Sequence, residues 1–151
     1  MERLDIIRAV EEWQRAGAYS VRIQGMNRHY HISLRDEFDE HDGDGTKYIV
    51  VLDDRYPIAT WRFYAVSMKR VILGRVVVLP EYRGRKIGSM VTQEAEQWIR
   101  ECGFSEVEIG SRIDAAGFSA GFYKKLGYNP VSNEIVKSGP FDCIKMYKLL
   151  I

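Results

Sequence analysis

The chain has 151 residues, 46% of them hydrophobic, with a formal net charge of +1, which suits one domain (1–151) with a sizeable core. No run approaches the roughly 18 apolar residues of a membrane span, and 22 basic against 21 acidic side chains leave no broad positive surplus for nucleic acid. Charged Glu2, Arg3 and Asp5 open the chain with no apolar stretch before a cleavage site, so a cytoplasmic protein without membrane or nucleic-acid partners is expected.

Leu4 to Arg15 reads as a helix with Leu4, Ile7, Val10 and Trp13 on one face, ended by Gly17. Ser20–Arg35 is ambiguous: Val21 and Ile23 alternate as in a strand, and so do Tyr30, Ile32 and Leu34, while Gly25 marks an interruption. His29 and His31 would share one side of such a strand, and with no third ligand nearby they read as surface histidines, not a metal site. The charge run Arg35-Asp36-Glu37-Phe38-Asp39-Glu40-His41-Asp42 is either a solvated loop or a negative wall that attracts a cation such as an amine. His41-Asp42-Gly43-Asp44-Gly45 is no EF-hand, since Lys47 and Asp53 stand where that loop needs glycine and glutamate. Tyr48–Asp53 and Ile58–Val66 then read as a hairpin across Asp54-Arg55-Tyr56-Pro57, and Lys69–Leu79 as a third strand.

Arg75 to Gly103 is the most informative stretch. Val76-Val77-Val78-Leu79 is a β-branched run ended by Pro80, which has no N–H for a neighbouring strand. After the basic turn Arg83-Gly84-Arg85-Lys86-Ile87-Gly88-Ser89, Ile87, Met90, Val91, Ala95, Trp98, Ile99 and Cys102 recur at spacings of three and four, and Gly103 caps that helix. Cations at a helix start oppose the helix dipole by about 0.3–1 kcal/mol each. Arg83, Arg85 and Lys86 crowd that end, which is explained if an anion such as a diphosphate sits on its free N–H groups, with Gly84 and Gly88 permitting close approach. The turn is neither a P-loop nor G-x-G-x-x-G.

Glu106–Ile113 reads as a further strand. Phe118, Phe122 and Leu126 then recur at helical spacing before Gly127 stops the helix, and Asn129-Pro130 turns into a last strand or two. Cys102 and Cys143 have no metal or redox spacing and read as buried thiols. The class is mixed α/β: antiparallel N-terminal strands, then a parallel pair around the helix that follows the basic turn, flanked by helices.

Two spaced blocks carry a family resemblance. Arg83-Gly84-Arg85-Lys86-Ile87-Gly88 resembles the Q/R-x-x-G-x-G/A cofactor motif of the GNAT superfamily of N-acetyltransferases, with Lys86 at the middle glycine. Lysine there is costly if the position requires a positive φ. Phe122-Tyr123-Lys124-Lys125-Leu126-Gly127-Tyr128 is similar to the block near the end of that domain. The outer segments are similar to the small bacterial ElaA-like branch, in which a helix would fall within Ser20–Arg35.

The resemblance implies acetyl-CoA as cosubstrate and no metal. Its pantetheine arm would pair with the main chain of Val76, Val77 and Val78, and its diphosphate with Arg83, Gly84, Arg85, Lys86, Ile87, Gly88 and Ser89. A strand N–H near Val78 would donate to the oxyanion. Tyr123 would stand beside the departing sulfur; a tyrosine pKa near 10 against a thiol near 8.5 makes full proton transfer uphill by roughly 2 kcal/mol, so partial transfer is expected. Ala116 replaces an asparagine that contacts cofactor in many relatives. The acceptor, a small-molecule or protein amine, is protonated at pH 7 and needs a base. Candidates are Glu106, Glu108 and, ahead of them, Asp114, while Trp61 or Arg62 would contact the acceptor and a homodimer would be common for the family. A non-catalytic CoA or acyl-CoA sensor is the alternative, and a nucleotide-phosphate binder a third reading.

Overall fold

The computed structural model describes residues 4–113 and 120–151, which are organised by one seven-stranded sheet of order β1-β2-β3-β4-β5-β7-β6. In chain order the elements are β1 (Leu4–Arg8), α1 (Glu12–Arg22), a π-helical turn (Ile23–Asn27), α2 (Arg28–Tyr30), α3 (Leu34–Glu37), β2 (Thr46–Asp53), β3 (Tyr56–Ala65) and β4 (Arg70–Val78). After a 3-10 turn (Pro80–Tyr82) follow α4 (Ile87–Glu101), β5 (Glu106–Arg112), α5 (Ala120–Lys125), β6 (Asn129–Ser138) and β7 (Phe141–Leu149). β4 and β5 pair in parallel and every other neighbouring pair is antiparallel, the mixed arrangement expected from the sequence.

β2 shows why the core has two sides. Ile49 and Val51 face α4 and its Ile87, Val91, Ala95 and Ile99, whereas Tyr48, Val50 and Leu52 pack with Ala18 of α1 on the opposite face. A strand covered on both faces reads as an unbroken apolar run instead of an alternating one. The β2–β3 turn is tighter than expected: Asp54 and Arg55 alone make it, at φ +46° and +77°, the two positive values a two-residue hairpin turn requires. Gly103 and Gly127 end α4 and α5 at φ +94° and +96°, as expected.

The N-terminus corrects the sequence reading. Leu4–Arg8 is an edge strand paired antiparallel with Asp53–Ile49, and the helix starts only after Glu11. Gln14 sets that boundary, because its side-chain oxygen accepts from the N–H groups of Val10 (2.7 Å) and Glu11 (2.9 Å). The expected helical face does not exist, since Val10 and Trp13 are 79% and 55% exposed. Long-range pairing with β2 overrides a spacing of three that happened to look helical. The ambiguous Ser20–Arg35 stretch is helical through Tyr30 and again from Leu34, as the family resemblance implied, with a break at His31–Ser33. Val21 packs onto Val77 and Leu79, and Gly25 is a point of close approach instead of an interruption: a Cβ there would come within 2.4 Å of Val77 Cγ1. Cys143 is buried as expected but Cys102, at the end of α4, is exposed.

Candidate active site

β4 and β5 hold together over only three residue pairs, Arg70–Glu106, Val71–Val107 and Ile72–Glu108. Beyond them β4 follows β3 to Val78 and β5 follows β7 to Arg112, so the two strands splay apart. A bulge in the β3–β4 pairing accompanies the separation. Thr60 and Arg62 of β3 face Val77 and Gly74, leaving one extra residue on β4 where Arg75 takes φ +48°. Backbone groups along the opened edges lack the ladder partners that a closed sheet would supply.

A cavity of about 490 Å³ lies at this opening. Gly74–Val77 and Ile109–Gly110 line it from the splayed strands, Tyr123 from α5, Glu37 from α3, and Phe141 from β7. Tyr123 is 2% exposed and packs edge-on to Phe122 and Tyr128. Burial pushes its hydroxyl above the ordinary tyrosine range. Arg112 lies over the rings of Phe141 (3.8 Å) and Tyr30 (5.1 Å), both of which line the same cavity.

The basic turn follows the C-terminal end of β4, where the two strands have parted. Arg83, Gly84, Arg85 and Lys86 are exposed, Ile87 and Gly88 are buried, and no side chain caps α4. The first turn of α4 holds no acidic residue, so its N–H groups face an environment of positive charge. Arg85 sits over the Tyr82 ring at 5.0 Å, Tyr82 is tied to Asp53 by a short hydrogen bond, and the Arg83 Nε donates to the Val78 carbonyl at 3.4 Å. Lys86, at the family's middle glycine, adopts φ +61° and ψ +16°. This is the left-handed region, so the lysine carries backbone strain that glycine would not.

Other expected site residues lie elsewhere. Trp61 is fully buried in the core beneath α4, and Arg62 is 5% exposed on the opposite face; neither lines the cavity. Glu106 and Glu108 occupy the closed end of the strand pair, held by Arg70 at 2.9 and 3.5 Å. Asp114 and Ala116 fall outside the described residues. His31 sits at φ +56° as a helix stop and lines the cavity, while among the described residues no group of His, Cys, Asp or Glu is placed to hold a metal.

The charge run is the main feature that sequence reasoning left unresolved: Arg35, Asp36, Glu40 and His41 are exposed, whereas Glu37, Asp39 and Asp42 turn inward. Arg22 is fully buried and donates to both Asp42 oxygens (2.7 and 3.1 Å) and to the Glu37 carbonyl (2.8 Å). Arg62 donates to both Asp39 oxygens at 3.0 Å and meets Asp42 at 2.9 Å. Arg75 donates to Asp39 at 3.0 Å, and Tyr48 donates to Asp42 at 2.6 Å. Burial pushes both aspartates up, but hydrogen bonds from Arg22 and Tyr48, and from Arg62, outweigh it, so both titrate below the usual carboxylate range. Glu37 differs. Its Oε2 lies 3.4 Å from Arg75 and 3.9 Å from Arg22, its Oε1 is buried with no hydrogen-bond partner, and burial, opposed by Arg75, Arg22 and Arg62, raises it. The available signal was arginine itself: Arg22 and Arg62 stand inside otherwise apolar buried faces, where an arginine needs carboxylates.

Comparison with known proteins agrees with this architecture. An "Uncharacterized acetyltransferase in arcA 3'region" of Streptococcus pyogenes is 31% identical over 118 residues, 78% of this chain and 77% of that protein. The crystal structure titled "putative N-acetyltransferase from Lactobacillus plantarum" superposes with a TM-score of 0.87 at 30% identity, covering 98% of this chain and 99% of that one. Escherichia coli ElaA shares the fold, with a TM-score of 0.75 at 18% identity over 98% of this chain and 99% of its own. The model of the acetyltransferase (GNAT) family matches residues 7–128, and the chain, with its splayed strands and uncapped basic helix start, belongs to that family.

Proposed function

We propose that this protein is an N-acetyltransferase that moves an acetyl group from acetyl-CoA to a primary amine by direct attack in a ternary complex. The observation that carries the reading is the opening between β4 and β5, with a cavity on it and an uncapped, cationic helix start at its end. The residues fit the donor. On the β4 edge that β5 leaves, main-chain groups of Val76 and Val78, on either side of Val77, would pair with an extended amide-bearing arm, and a strand N–H near Val78 would donate to an oxyanion. Gly84, Gly88 and the N–H groups of Ile87 and Ser89, with Arg83, Arg85 and Lys86, form a diphosphate seat. When bound, the thioester supplies an acyl carbon activated for attack.

Within that frame the buried Tyr123 hydroxyl shares its proton with the leaving sulfur, its high pKa favouring a hydrogen bond over complete transfer. Asp114, the base favoured from the sequence, falls outside the described residues. Arg62 contributes to the acceptor side only through Asp39 and Asp42, and Trp61 only through the core. The proposed setting is the cytoplasm.

Thiol release from acetyl-CoA with a panel of small and peptidyl amines tests the reading. Turnover on at least one amine, lowered about 10- to 100-fold by Tyr123→Phe, supports it. Acetyl-CoA binding without thiol release on any amine would make the protein a CoA-binding sensor instead.

A further inference from the structure

Three carboxylates share the buried cluster with Arg22, Arg62 and Arg75, yet they are not equivalent. Asp39 and Asp42 each accept direct hydrogen bonds from a guanidinium, whereas Glu37 accepts none, and of the three only Glu37 lines the cavity. Glu37 is also 2% exposed. A carboxylate in such a place without a hydrogen-bond donor is unusual, because buried polar atoms are almost always satisfied. The missing partner must be a donor, and a donor arriving at a carboxylate from within a cavity is most favourable when it is a cation.

We propose that Glu37 is the base that accepts the proton of the acceptor's ammonium, with Arg22 and Arg75 as positioning residues, so that the cavity selects primary amines that are cationic in solution. The assignment rests on the acetyl-transfer reading above. One N–H bond of R–NH3+ breaks and its proton passes to Glu37, across at most one water. The lone pair left on nitrogen forms the C–N bond to the thioester carbonyl as the C–S bond breaks. A second nitrogen proton goes to the departing sulfur, giving amide and thiol, and Glu37 returns its own proton to solvent. The pKa direction agrees: a carboxyl raised above its ordinary value is a better base near neutrality than Asp39 or Asp42, which are depressed. Burial sets that direction against Arg75 on β4, Arg22 on α1 and Arg62 on β3, with Asp42 adding to it, and His31 and Asp36 are further ionisable side chains on the same cavity wall.

The test compares full-length wild type with Glu37→Gln, using an alkylamine, which is an ammonium at pH 7, and an alkoxyamine, which is neutral there. For Glu37→Gln, kcat/KM should fall about 100-fold with the alkylamine but only about 3-fold with the alkoxyamine, with CoA affinity by calorimetry unchanged. The acid limb of its alkylamine profile should move toward the amine's own pKa near 10. Equal loss on both acceptors would show a packing role and overturn the proposal, as would no loss, or an acid limb that survives Glu37→Gln and disappears in His31→Gln. Should Glu37→Gln fail to fold, Glu37→Asp keeps the charge among the arginines; a loss confined to the alkylamine supports the assignment and an equal loss overturns it. Wild type that binds CoA and acetylates neither acceptor fails the acetyl-transfer reading, and this proposal with it.

Discussion

The molecule holds two arginine-rich regions that differ in almost every physical respect. Arg83, Arg85 and Lys86 stand exposed around an uncapped helix start, whereas Arg22, Arg62 and Arg75 converge in the interior on Glu37, Asp39 and Asp42. In water an ion pair is weak, so the first region can hold its charge in readiness for a ligand at little cost in stability. In the interior an unpaired charge is prohibitive, so the second region must neutralise itself, and its arginines serve to fix carboxylates in place. Charge kept outside is available for binding; charge kept inside becomes architecture, with Glu37 as the one loosely held member.

The largest expected effect breaks the inner region. Arg22→Met should cost about 3–5 kcal/mol in urea denaturation, because Asp42 is left buried without its bidentate partner. The outer region should behave oppositely: Arg83→Ala combined with Arg85→Ala should weaken CoA binding by about 10- to 100-fold, worth about 1.5–3 kcal/mol. The same pair of changes should leave stability within roughly 0.5 kcal/mol. That binding loss should shrink as salt is raised, which calorimetry at two ionic strengths would show.

Stability against pH sharpens the contrast further. Asp39 and Asp42 have folded pKa values below their unfolded value near 4, so their contribution is present above that pH and is lost as pH falls through the folded values. Glu37, raised in the fold, has the opposite sign: its contribution is present below the unfolded pKa and is lost as pH rises through the folded one. Urea titrations across pH should therefore show Asp42→Asn flattening the acid side of the curve and Glu37→Gln removing a decline above about pH 4.3. The smallest effect concerns the outer turn alone. Lys86→Gly, by relieving the left-handed backbone at φ +61°, should raise stability by about 1 kcal/mol in a thermal melt. The lost charge should weaken CoA binding a few-fold at most.

Legibility from sequence followed the range of the interactions involved. The basic turn, the amphipathic α4 and the Phe122–Tyr128 block are local patterns, and each was readable because helix period, capping and charge placement act over a few residues. Leu4–Arg8 was misread for the converse reason: its strand exists only because β2, some forty residues onward, offers an edge. Cys102 was misjudged because its apolar neighbours in sequence are not its neighbours in space.

The sequence by itself determined the order of strands and helices from β2 onward, the cationic start of α4 and the family to which the chain belongs, since all of these rest on short-range pattern and composition. Only the tertiary structure decided that β4 and β5 part after three pairs, that Trp61 belongs to the core, and that an acidic run resembling a solvated loop folds inward onto three arginines. Those outcomes depend on pairing and desolvation between segments far apart in the chain, and no local periodicity records them.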